Sequence, residues 1–217
     1  MDPKIFLVVA VVLVMGWFAF GVIYNLRRGE AVLRWLQGGL PRIGERTTLR
    51  WLGTSVAELV IAKAHSPFRR LETLLVLTPR DVPWMWLLAW LQHRRDTLIF
   101  RAQLVDPPTV DLEWVDPSSW TGKLALNQAI KRDWQSQPYH GLQLMAPAGA
   151  LGSAHSTLER TSASAQELAL HYWRFSLRRD SPHLELHLAF PDHHRTDAAQ
   201  FFDALRQLSL AVGESRS

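Results

Sequence analysis

Cysteine is absent from the 217-residue chain, which excludes a disulfide framework, thiol catalysis and cysteine-ligated zinc or iron–sulfur centres. No Walker A loop, GxGxxG turn or HExxH helix is present either, so the common routes to nucleotide binding and zinc hydrolysis have no signature here. The third absence is local. Residues 5–24 (IFLVVAVVLVMGWFAFGVIY) carry no charge, and a helix of that length spans about 30 Å, the hydrocarbon thickness of a bilayer.

This run predicts a single transmembrane anchor within residues 1–25. A cleaved signal peptide would need a basic start, a shorter apolar core and a small-x-small cleavage site. Here Asp2 offsets Lys4, the apolar run is long and no Ala-x-Ala follows it. Trp17 and Tyr24 lie toward its C-terminal end, where aromatic rings favour the headgroup boundary. Gly16 and Gly21 miss the GxxxG spacing that brings two helices together. Arg27, Arg28 and Arg34 follow the run while only Lys4 precedes it, which predicts an N-terminus outside and a cytoplasmic C-terminal domain.

The net charge of +4 is unevenly spread: bases outnumber acids between residues 25 and 95, and acids outnumber bases thereafter. Basic residues next to an anchor are attracted to an anionic leaflet. Nucleic-acid binding is the competing explanation of a high isoelectric point, but no recognition motif accompanies these arginines. Residues 26–50 read as a basic, amphipathic juxtamembrane linker. Within it, residues 29–40 (GEAVLRWLQGGL) end at Gly38-Gly39 and Pro41 and suit either a helix along the headgroups or a helix packed on the domain. Arg27, Arg28, Arg34 and Trp35 are the candidate membrane-surface contacts, and the lipid bilayer is the first expected partner.

Residues 51–212 read as one α+β domain of antiparallel sheet with helices on one face, built from weak β-β-α repeats. The first unit pairs 56–64 with 71–77 before a helix from Asp81 to about His93. The second has strands 98–105 and 110–115, then a helix over about 121–134. The third has strands 172–177 and 183–190, then a helix over about 197–211. Val110, Leu112 and Trp114 alternate with Asp111 and Glu113, as in a strand with one face on a core and the other in water. Asp197 followed by Gln200 resembles a capping box. Residues 139–145 suit a further strand, 146–166 a flexible Ala/Gly/Ser-rich excursion, and 213–217 a disordered tail.

The helix at residues 82–91 (VPWMWLLAWL) is the most unusual stretch after the anchor. Trp84, Leu87, Leu88 and Leu91 share one face, as a core stripe should, while Trp86 and Trp90 lie on the opposite side, with Arg94 and Arg95 just beyond. Either another layer of the domain buries these indoles, or Trp86, Trp90, Arg94 and Arg95 form a surface for a protein partner or the headgroups. His183 and His187 are about 13 Å apart along a strand, too far to share an ion, and His193-His194 lacks a third spaced ligand. No cofactor, metal or catalytic residue is predicted. The resulting expectation is a single-pass membrane protein whose cytoplasmic α+β domain is a non-catalytic accessory subunit that binds a protein partner. A membrane-anchored enzyme acting on a lipid or membrane-associated substrate is the competing reading, with His140, Ser153 and His155 as its least poor candidates. Nucleic acid is the least favoured partner.

Overall fold

The computed structural model describes residues 2–167, 172–192 and 196–213. It opens on one continuous helix, α1 (Pro3–Ile43), capped by Asp2, whose carboxylate accepts from the Lys4 amide. The break expected at Gly38-Gly39 and Pro41 does not occur, and the helix runs on to Ile43. The reason is burial. Val32, Leu33, Leu36, Leu40 and Ile43 are all in the core, and at about 1.5–3 kcal/mol each they outweigh two glycines at up to about 1 kcal/mol each and one proline at about 3 kcal/mol. Of the two readings for residues 29–40, the helix packed on the domain is therefore the one found. Gly39 takes part directly: a Cβ there would overlap the Phe202 ring and the Ala198 carbonyl.

The remaining elements are β1 (Gly44–Trp51), β2 (Val56–Ala64), β3 (Phe68–Val76), α2 (Pro83–Leu91), β4 (Thr97–Leu104), β5 (Leu112–Val115), α3 (Trp120–Lys131), β6 (Gln135–Tyr139), β7 (Leu142–Ala146), α4 (Leu151–Glu167), β8 (Tyr172–Leu177), β9 (Leu184–Ala189) and α5 (Ala198–Gly213). Among the described residues nine strands form one antiparallel sheet in the order β1-β2-β3-β4-β9-β8-β5-β7-β6. The fold is α+β, with the β-β-α order present in each of the three expected units.

Three local expectations change. Strand β1 stands where the end of a linker is expected; its side chains are mostly exposed, so it has no apolar alternation and is held by backbone pairing with β2. Residues 146–166, expected as a flexible excursion, contain α4, whose Ala154 and Leu158 enter the core, so β6, β7 and α4 form a fourth β-β-α unit. In the second unit β4 and β5 are not neighbours, because the β8–β9 hairpin inserts between them and Asp106-Pro107-Pro108 leads a crossover. Residues 214–217 of the expected tail lie outside the described residues.

One sheet face, with Leu71, Leu98, Phe100, Leu112 and Leu186, is covered by the second half of α1, by α4 and by α5. On the opposite face α3 packs Ala125 and Ala129 on Val115 and Met145. Glu113, expected in water, is instead 1% exposed there. Arg174 binds it through two nitrogens at 2.8 Å, and Arg178 donates to it as well. Beside it Glu185 takes Arg101 at 2.9 Å and His187 at 2.7 Å. Burial alone would raise the Glu185 carboxyl, but the His187 bond and the Arg174 and Arg101 charges bring it down to about 2.

The fold predicts that Leu36→Ala costs about 2–5 kcal/mol, whereas Arg34→Ala, on the exposed side of the same helix, stays within about 0.5 kcal/mol. Chemical denaturation of the detergent-solubilised full chain checks this. Equal, small effects would mean that this half of α1 is not part of the core.

Candidate functional site at the junction of α1 and α2

Helix α2 is held beside the apolar half of α1 by the segment that precedes it. Asn25, fully buried at the end of the apolar run, donates from its amide to the Thr78 carbonyl at 3.0 Å. Its amide oxygen accepts from Arg80 at 3.1 Å. One turn earlier Gly21 lets the Arg80 backbone touch α1, since a Cβ there would overlap the Arg80 carbonyl. That carbonyl accepts from the Trp17 indole at 2.9 Å, and the Trp17 and Trp86 rings lie 5.7 Å apart. Thr54 closes the corner by donating to Asp81 at 2.7 Å.

No residue of α2 belongs to the core cluster in which α1, α4 and α5 meet the sheet. Of its nine residues only Ala89 is buried. The expected core stripe is therefore exposed: Trp84 by 67%, Leu88 by 55% and Leu91 by 60%. Trp90 is 63% exposed as well, so among the described residues no further layer covers it, while Trp86 is half-buried with its ring near Trp17 of α1. The result is one apolar surface shared by α1 and α2, followed at once by the basic turn His93-Arg94-Arg95.

Behind α2 lies a cleft of about 580 Å³, walled by Trp86, Trp90 and Phe190 and lined by Arg28, Arg80, Arg94 and Arg95. Asp96 belongs to the same cleft and is 7% exposed. Its carboxylate accepts from the Thr78 amide at 2.9 Å, the Thr78 hydroxyl at 3.0 Å, two Arg80 nitrogens at 3.0 Å and Arg28 at 2.6 Å. Burial alone would raise this carboxyl; the Arg80 hydrogen bond, the Thr78 amide and the charges of Arg80 and Arg28 outweigh it and hold Asp96 below the usual carboxylate range. Arg94 stacks over Trp120 at 4.1 Å, and among the described residues neither Arg94 nor Arg95 has a carboxylate partner. The cleft thus carries four guanidinium groups against one carboxylate. The hydroxyl of Thr78 is committed to Asp96, which leaves cations and indole faces, a set suited to holding an anion rather than to moving a proton or attacking a carbonyl.

Of the residues singled out from sequence, Trp86, Trp90, Arg94 and Arg95 meet here, and Arg28 joins them. Arg27 lines an adjoining groove along α1 with Phe20 and Tyr24, and Arg34 is exposed. Trp35 is partly buried against the domain: its indole donates to the Thr196 carbonyl at 2.6 Å and its ring lies 5.4 Å from Phe201. Asn25, Arg80 and Asp96 escape sequence reasoning. The available signal was a lone amide at the end of an apolar run and a lone acid after two arginines.

His140 and His155 each contact the Tyr139 ring, with centroids at 4.3 and 4.4 Å. His155 also approaches Glu159 at 3.4 Å. Ser153 is exposed, and among the described residues no serine hydroxyl is hydrogen-bonded to a histidine. His183 accepts from the Leu104 amide at 3.0 Å and His187 pairs with Glu185, so each has a structural role. Burial pushes the His183 imidazole down. His193-His194 lies outside the described residues, among which no group of three possible metal ligands stands together. Comparison with known protein families and with curated proteins finds no match to this chain.

Asp96 has a depressed folded-state pKa, so the stability it contributes is present above its ordinary value of 3.8 and is lost as pH falls below that. Asp96→Asn is predicted to cost about 2 kcal/mol at pH 7 and to flatten the acid limb of the stability curve. Denaturation midpoints measured from pH 7 down to 2.5 would check this; an acid limb identical to that of the parent protein would mean the carboxylate is not held as described.

Proposed function

We infer that the protein is a single-pass membrane protein, N-terminus outside, whose cytoplasmic α+β domain serves as a non-catalytic accessory module for a protein partner. The observation that carries this reading is the unbroken course of α1, whose first half is long and apolar enough to cross a membrane and whose second half is core. A cleaved signal sequence is a poor match to that helix. Removal of the apolar run would take away Trp17 and Gly21, which fix the Arg80 backbone, and leave Asn25 at a chain end. The arginines directly after the run favour a cytoplasmic domain.

Helix α2 adds a second point of attachment. If hydrocarbon ends near Tyr24, Trp17 lies about 10 Å inside it at 1.5 Å per residue. The helix that touches Trp17 then enters the same leaflet, which accounts for its exposed indoles and leucines. Two attachments fix the orientation of the domain, as an accessory subunit needs when it must present one face to a membrane-bound partner.

The cysteine-free chain makes topology simple to test. Asp2→Cys is expected to react with a membrane-impermeant maleimide on intact cells and Arg206→Cys only after permeabilisation, with both proteins resisting carbonate extraction. Release of unprocessed protein by carbonate, or labelling of Arg206→Cys on intact cells, would contradict the reading. For α2, lipids brominated in the acyl chain are expected to quench part of the tryptophan emission of a Trp17→Phe variant, which lacks the indole of α1's apolar run, and adding Trp84→Phe/Trp90→Phe removes most of what remains quenchable while adding Trp114→Phe does not. Emission indifferent to the brominated lipid would mean that α2 faces water or protein instead.

A further inference from the structure

Resting on that membrane reading, we propose that the cleft behind α2 is a binding site for the phosphate-bearing headgroup of an anionic phospholipid. The chemistry is that of the lining: four arginines face a space with a single carboxylate, and that carboxylate is already saturated by Arg28, Arg80 and Thr78. Arg95, and Arg94 stacked on Trp120, have no carboxylate partner among the described residues, and guanidinium groups match phosphate oxygens in pairs. Asp96 and Asn25 hold Arg80 and Arg28 in place before any ligand arrives, which lowers the ordering cost of binding.

Depth selects a lipid as the source of the phosphate. Arg28 comes four residues after Tyr24, about 6 Å beyond the apolar run at 1.5 Å per residue, which is where headgroups lie outside the hydrocarbon core. The indole walls Trp86 and Trp90 sit on the helix whose outer face is apolar. A second hollow of about 710 Å³ shares Arg28 and Phe190 with the cleft and runs along Phe20, Ile23 and Tyr24 of α1, with Arg27 and Asp192 also lining it. A phosphate at the arginines therefore has an apolar groove beside it for the attached acyl chain, which a free phosphate compound would leave unused.

The test uses the full-length protein in mild detergent, offered equal amounts of phosphatidylglycerol and phosphatidylcholine and read by native mass spectrometry. The parent protein is expected to retain phosphatidylglycerol preferentially. Arg94→Gln/Arg95→Gln should reduce that preference about tenfold. Arg94→Lys/Arg95→Lys should keep part of it, and the charge-matched Lys131→Gln/Arg206→Gln, outside the cleft, should leave it intact. Should the glutamine pair fail to fold, the single Arg95→Gln provides the same reading. Equal retention of both lipids, or a preference untouched by the cleft substitutions, overturns the site. Displacement by soluble glycerol phosphate at the concentration of the lipid assigns the cleft to a free phosphate compound and overturns the lipid. Carbonate resistance is measured separately, so a protein that stays in the membrane without headgroup preference defeats this site alone.

Discussion

Leu36 has no exposed surface, and the turn of α1 that carries it joins two environments within one rigid rod. Upstream the helix shows its side chains on every side, with the residues from Ile5 to Phe20 largely exposed. Downstream it is a core element against α5 and the sheet. A helix cannot rotate or tilt at one end without carrying the other, so the position of the domain follows from the position of the apolar run. Flexible tethers give the opposite arrangement, and a Gly-Gly-x-Pro sequence in this region would ordinarily signal one. Here the same Gly39 that weakens the helix admits Phe202, and packing exceeds the propensity cost.

The second theme is how the charges are managed. Asp96, Glu113 and Glu185 are each largely withdrawn from water and each held by at least two cationic partners. The partners come from distant parts of the chain: Arg28 from α1, Arg80 from the turn before α2, Arg174 from β8 and Arg178 just after it. Buried ion pairs of this kind add little net stability compared with apolar replacements, yet losing one partner is costly. They therefore fix which segments meet. In the cleft the carboxylate that orders Arg28 and Arg80 leaves Arg95, and Arg94 stacked on Trp120, without a carboxylate partner among the described residues.

Much of the architecture was legible because period and punctuation agree with it. Strands β2 and β8 have their sequence-derived bounds, and the helix expected over about 197–211 is α5, whose Phe201, Phe202, Leu205 and Leu208 are all buried. What was not legible has physical causes. Edge strand β1 is stabilised by backbone pairing, which leaves no side-chain pattern. The insertion of β8–β9 between β4 and β5 is a long-range choice that local hairpin signals do not encode. In α2, one leucine stripe reads the same whether the apolar neighbour is a protein layer or something outside it, so the helix was recognised and its surroundings were misassigned. The candidate site was half visible: its indoles and Arg94-Arg95 are contiguous in sequence, whereas Asn25, Arg80 and Asp96 meet only through the fold.

The rigid connection between the apolar run and the domain is most directly measured by a spin–spin distance across it. Leu13→Cys/Arg206→Cys, both at exposed positions in a chain with no other cysteine, would be spin-labelled and examined by pulsed electron–electron double resonance in lipid nanodiscs. A single narrow distance distribution, unchanged between detergent and bilayer, is the predicted result. A broad distribution spanning many distances would show that the two halves of α1 move independently, and would contradict the account.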